Sequence, residues 1–303
     1  MTVVLYHEWR DEYLRRRYLQ HASHEELARR QVDLFENILT IDSDGKAIVD
    51  AGESLRRLLA HVQAEYQLRG LPFSDSFTQG PYKYHKKAAE LWQRERLDEG
   101  TYLLKFGNVG WMTRTFGEGV IRIGNAKSYE SSSFGPAIQD CEVEFTEEFF
   151  GTTAEAVRNG MKIPIETIGN IRRVSECVTD FYIASFGLKY DYRLFDDFSR
   201  ENKHLYDACL VVRNPEEFLS RMREEGERKL PGWDFYALPV TYRDPYHPTP
   251  DRNGIDVFFT KHFRYAYQRE FRIVWIPPTA QDKLEPVYFE LGPLRDYSQL
   301  LML

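Results

Sequence analysis

Cysteine is scarce in this chain: Cys141, Cys177 and Cys209 are the only three in 303 residues, and no two form a C-x-x-C pair. That excludes a disulfide scaffold and a zinc knuckle and leaves reduced thiols in a cytoplasmic protein as the expectation, with no metal. Positive charge is not in excess either. The net charge is −7 and the isoelectric point is near 5.7, which argues against broad nucleic-acid binding through a basic surface. A local basic cleft stays open. No apolar run approaches a membrane span, and the opening MTVVLYHEWRDEY turns charged too soon for a signal peptide. The expectation is a chain with no membrane partner. Internal repeats and low-complexity tracts are missing too. What is present is a 42% hydrophobic and 15% aromatic composition, which excludes a disordered chain.

Hydrophobic spacing divides the sequence near residue 99. Residues 1–99 read as a helical module. Leu27, Leu34, Phe35 and Ile38 fall on one helical face, and Leu55, Leu58, Leu59, Val62 and Tyr66 on another, with Ala88, Leu91 and Trp92 marking a third helix. His21 and His24 have no third ligand nearby and are read as exposed helix residues. Residues 100–303 change to short strands: 102–106, 120–123, an alternating stretch at Cys141, Val143 and Phe145, then 181–186, 208–212, 236–242, 271–276 and 287–291. Asn214-Pro215-Glu216-Glu217 has the cap, the proline and the acidic first turn of a helix start. Strands outnumber helices without alternating with them, so the expected class is α+β, with antiparallel or mixed strands in two apposed sheets.

The stretch from Phe258 to Pro277 carries the chemistry. Phe271 to Ile276 is rich in β-branched and aromatic residues and stops at Pro277-Pro278, which predicts a strand. Gln268 and Glu270 are spaced by two, so an extended chain projects both to one side. A carboxylate there could stabilise developing positive charge or hold a sugar hydroxyl, and the amide could orient a second reactant. The same pair also suits a solvated strand mouth, where exchanging Glu270 for Gln would move stability by no more than about 0.5 kcal/mol.

The order of these motifs resembles a widespread bacterial domain of unknown function, itself similar to ADP-ribosyltransferases. Leu104-Lys105-Phe106 stands at its first strand and Ile123-Gly124-Asn125-Ala126-Lys127-Ser128-Tyr129-Glu130 at its second. Ala184-Ser185-Phe186 stands at the middle one and Tyr267-Gln268-Arg269-Glu270-Phe271-Arg272 at the last. The resemblance spans about residues 101–295. It implies an ADP-ribosyltransferase-like fold and cleavage of the nicotinamide–ribose bond of NAD, the substrate, without metal. Glu270 would stabilise the oxocarbenium-like ribose, Gln268 would bind the acceptor and Ser185 would orient Glu270 or the ribose. Lys105 would pair with a phosphate, where the family has arginine with its bidentate fork. Tyr129 or Phe134 would stack on nicotinamide. The Asn-Asp of the family's second motif is replaced by Glu130-Ser131-Ser132-Ser133-Phe134.

Such chemistry implies a protein or nucleic-acid target, a role as a toxin or phage-defence effector and a neutralising antitoxin. The rival reading is a nucleic-acid-binding or nuclease-type defence protein without NAD chemistry. It rests on Tyr82, Lys83, Tyr84, Lys86 and Lys87 as a basic, aromatic patch, and on Asp256 with Lys261 as an acid–lysine pair of irregular spacing.

Overall fold

A computed structural model describes residues 3–50, 52–73, 82–95, 101–131, 134–150, 156–158, 161–163, 170–202, 205–246 and 256–303. The N-terminal part holds α1 (Val3–Arg16), α2 (His24–Ile38), the hairpin β1 (Leu39–Ile41) and β2 (Ala47–Val49), α3 (Glu53–Leu68) and α4 (His85–Glu95). Next come β3 (Leu103–Gly107), α5 (Val109–Glu118), β4 (Val120–Asn125), β5 (Glu144–Phe150), β6 (Ala156–Arg158), β7 (Met161–Ile163) and β8 (Asn170–Glu176). β9 (Tyr182–Gly187), α6 (Leu194–Ser199), β10 (Ala208–Val212), α7 (Pro215–Lys229), β11 (Asp234–Pro239) and β12 (Thr241–Arg243) follow. The chain closes with β13 (Thr260–His262), β14 (Glu270–Ile276), β15 (Val287–Glu290) and β16 (Ser298–Met302).

Local chemistry sets these bounds. α2 starts at a capping box, in which Ser23 Oγ accepts the Glu26 N–H and the Glu26 carboxylate accepts the Ser23 N–H. α7 starts as its sequence predicts: the Asn214 side chain accepts the Glu217 N–H, and Arg228 and Lys229 in the last turn complement the helix dipole. The alternation at Cys141, Val143 and Phe145 does not make one strand. β5 begins only at Glu144, because Glu142 is drawn out of line into a buried ion cluster.

The class is α+β. An antiparallel sheet runs β11-β14-β9-β3-β10-β16 and divides at β9. β14 pairs along the whole of one edge of β9. On the other edge β3 meets β9 at Leu104↔Gly187, and β4 meets it at Gly124↔Ile183 and Asn125↔Tyr182. One branch continues into β10 and β16, the other into β15. Beside this forked sheet the described residues hold the two-stranded sheets β1-β2, β5-β8, β6-β7 and the parallel β12-β13. Met112 of α5 and Phe218 and Met222 of α7 pack on one face of the forked sheet, and Ala88 and Leu91 of α4 and Leu194 and Phe195 of α6 on the other. α4 therefore shares the core of the sheet although it lies before residue 99. α1, α2 and α3 form a separate core around Tyr13, Leu27, Leu34 and Val62, which Phe263 of the C-terminal part completes. No helix among the described residues is long and apolar enough to cross a membrane.

Candidate active site

Glu270 opens β14, and alternation along that strand puts Glu270, Arg272 and Val274 on one face. Ile183 and Val274 extend one apolar cluster of this face, and Leu104 belongs to another. The charged side chains lie between the two. Glu270 is 5% exposed, Lys261 5%, Glu142 5% and Arg272 0%. Glu270 is thus not at a wet strand mouth, as its sequence context suggested. Arg272 Nε donates to Glu270 Oε1 at 2.7 Å, Nη1 to the Phe258 carbonyl at 3.0 Å, and Nη2 to Glu142. Lys261 Nζ lies 3.1 Å from Glu270 Oε2, 3.5 Å from Glu142 and 3.7 Å from Asp140. The Ser185 side chain lies near the Glu270 carboxylate and favours its charged form.

Burial alone would raise the Glu270 pKa. Arg272, Lys261 and the neighbouring Ser185 outweigh it and hold the carboxylate well below its usual range. Burial pushes Asp140 upward against the pull of Lys261. The result is a permanently ionised carboxylate fixed from three sides, with its backbone N–H donating to the Tyr242 phenol at 2.7 Å. Such a carboxylate can meet positive charge that develops beside it without first reorganising.

Lys105 reaches the fork from the opposite face of the sheet. It alternates onto the face of Leu103, and its Nζ lies 5.2 Å from the centre of the Phe186 ring and donates to the Ser185 carbonyl at 2.9 Å. Burial lowers its pKa to about 8, opposed by Glu270 and assisted by Arg122. Ser185 stands between Lys105 and Glu270: its main-chain carbonyl takes the Lys105 amine on one side of the sheet, and its side chain neighbours Glu270 on the other. Tyr129, in a 3-10 turn over Ala126–Glu130, stacks on Phe134 at 5.8 Å and sets its hydroxyl against Gly124, where an added Cβ would lie 3.1 Å from it. Burial and the nearby Glu142 raise its phenol to about 12. Both rings are half-buried.

Gln268 takes a different task from the one expected. It is 6% exposed and its Nε2 donates to the Ala137 carbonyl at 2.7 Å and to the Tyr267 hydroxyl at 3.3 Å. The amide ties the 126–141 segment to β14 and is turned inward, away from a second reactant. Tyr265, whose hydroxyl donates to the Gln139 carbonyl at 2.7 Å, makes a parallel tie.

Sequence reasoning missed Arg272, Lys261, Glu142, Asp140 and Tyr242. Arg272 had a signal, since it stands two residues after Glu270 and so on the same face. The others meet Glu270 only through the tertiary fold. Lys261 makes no pair with Asp256, whose side chain instead caps a short 3-10 turn by accepting the Phe258 N–H at 3.1 Å. In the basic, aromatic patch Lys83, Lys86 and Lys87 are exposed. Tyr84 packs against the core, and Tyr82 is half-buried with its hydroxyl buried. Among the described residues no group of three or more His, Cys, Asp or Glu could hold a metal ion. Comparisons of the chain with protein-family models, with curated proteins and with solved structures find no match.

Proposed function

We propose that this chain is an ADP-ribosyltransferase-like enzyme that breaks the nicotinamide–ribose bond of NAD and passes ADP-ribose to a protein or nucleic-acid acceptor. The observation that carries the reading is the place of Ser185 between Lys105, which donates to its carbonyl, and Glu270, a carboxylate on the other face that stays ionised. The C–N bond breaks with its electron pair leaving on nicotinamide, which departs neutral. The ribosyl carbon becomes cationic beside Glu270, and the acceptor supplies the new electron pair and gives up a proton. Lys105, with Arg122 near it, carries the positive charge that a pyrophosphate requires. Tyr129 and Phe134 supply aromatic surface for the departing ring. In a cell such an enzyme consumes NAD or modifies an essential target, which suits a toxin or defence effector held in check by a neutralising partner.

The test is release of nicotinamide from NAD by the purified chain, with Ser185→Ala and Glu270→Gln compared at equal folded concentration. The expected loss for Glu270→Gln is on the order of 10²-fold or more in turnover, the scale of a charge aimed at a transition state. If the parent protein releases no nicotinamide with a range of candidate acceptors, and NAD does not raise its melting temperature, the reading falls.

A further inference from the structure

We propose that the N-terminal helical module is the brace of the segment that aims Glu270, with Asn37 of α2 as its positioning residue. The catalytic weight given to Glu270 rests on the function proposed above; the brace itself does not. Asn37 is 6% exposed. Its Nδ2 donates to the Asp33 carbonyl at 2.7 Å, inside its own helix, and to the Arg264 carbonyl at 2.9 Å, across the seam. Its Oδ1 accepts the Tyr267 N–H at 2.7 Å. Both amide hydrogens are used, and exchanging O and N would set donor against donor at Tyr267. Asparagine is a poor residue for a helix interior, so its presence in the last turn of α2 calls for such a partner.

The two main-chain groups it holds belong to the 3-10 turn Phe263–Gln268, immediately before Glu270. That turn ends at Arg269 with φ of 44°, a left-handed conformation that a non-glycine residue keeps only where its surroundings over-determine it. The surroundings join the module to the C-terminal part. Arg193 Nη1 donates to the Glu36 and Leu39 carbonyls at 2.7 and 2.8 Å, closing the C-terminus of α2, while its guanidinium lies 4.0 Å over the Tyr267 ring. Asp50, after β2, pairs with Lys189 at 2.6 Å and with Arg269 itself at 3.4 Å. Arg30 forms a buried pair with Asp244 and lies 5.2 Å over Phe263. Three residues of the module, Asn37, Asp50 and Arg30, therefore contact the turn that leads into Glu270, and Arg193 of the C-terminal part ties that turn to the end of α2.

The test is hydrogen exchange read by mass spectrometry on the full chain, with Asn37→Ala, Asn37→Asp and the control Arg29→Ala. Arg29 is an exposed residue of the same helix that pairs with Glu25 at 3.0 Å. Asn37→Ala should speed exchange across residues 264–270 by about tenfold, with β3 and β10 unchanged. Asn37→Asp keeps the acceptor for Tyr267 but sets an oxygen against the Arg264 carbonyl, so it should rescue the Tyr267 amide alone. Nicotinamide release, where the parent shows it, should fall in turnover with KM for NAD unchanged. Uniform loss of protection throughout the domain, or none at 264–270, overturns the brace. Local loss at 264–270 in a protein whose parent form leaves NAD intact upholds the brace and removes the NAD reading.

Discussion

Glu270→Gln puts the buried ion cluster to its most direct test. The carboxylate accepts Arg272 Nε through one oxygen and faces Lys261 Nζ through the other. A glutamine can offer its carbonyl to only one of these donors, and its NH2 then points at the second. Two cations, Lys261 at 5% exposure and Arg272 at 0%, lose part of their counter-charge where burial leaves them little screened. Breaking one member of such a cluster costs about 3–5 kcal/mol, a large share of the 5–15 kcal/mol that typically holds a domain together. A solvated strand mouth would have cost about 0.5 kcal/mol or less.

Urea unfolding at pH 7, followed by tryptophan fluorescence and fitted with a common slope, separates these magnitudes. Removing Arg272 as well, in Glu270→Gln/Arg272→Met, should cost less than the sum of the single changes, with a coupling of about 1–3 kcal/mol. The pH dependence supplies a second reading. The folded pKa of Glu270 is depressed, so its stabilisation is complete above the unfolded value near 4.5 and fades as pH falls towards the folded one. Below pH 4.5 the parent should therefore lose stability more steeply than the glutamine variant. A loss under about 1 kcal/mol at pH 7, together with identical acid limbs, would refute the cluster as the anchor of β14.

Two other substitutions probe the neighbouring contacts. Lys105 has a folded pKa near 8 against an unfolded value of 10.5, so between these values the unfolded chain binds more protons and stability rises with pH. The parent should gain on Lys105→Met by up to about 1.4 kcal/mol per pH unit across that window, and a flat difference in urea titrations would mean a solvated amine. Gln268→Ala leaves the buried Ala137 carbonyl without its donor and should cost about 1–3 kcal/mol. Faster hydrogen exchange should appear at residues 134–141 and not in β10, and the opposite pattern would count against the tie.

Features that depend on nearest neighbours in sequence were legible. The caps of α7, the run of β14 and the shift from helical to strand spacing all come from residue types a few positions apart. The pairing of Gln268 with Glu270 was legible only as a spacing. The two residues do stand together before and in β14, but Gln268 turns to Ala137, which no periodicity could announce. The burial of Glu270 was illegible for a related reason: Glu142 and Lys261 approach from elsewhere in the chain, and a carboxylate beside a strand reads as solvated until its partners are known. α5 was missed because its two interior glycines, Gly110 and Gly117, weaken the helical pattern, which tertiary packing on β10 and β16 then overrides. The role of α4 in the sheet core was hidden because its apolar face fits a helical bundle as well as a sheet.

The fork in the sheet gives the Lys105 amine its partner. Between the points where β3 and β4 meet β9, no strand among the described residues pairs with that edge of β9, and the Ser185 carbonyl falls in that interval. A buried carbonyl without a donor is costly, and the slender, terminal amine of Lys105 can reach into the gap where a planar guanidinium would need two acceptors side by side. The donor that closes the fork is at the same time a positive charge held near Glu270. Its burial penalty is set against the carboxylate's attraction, which leaves the amine close to half-titrated at mildly alkaline pH. A neutral donor would satisfy the carbonyl just as well without that penalty. Retaining a charge in so unfavourable a place is what makes the fork a candidate for binding an anion and not merely a defect in pairing.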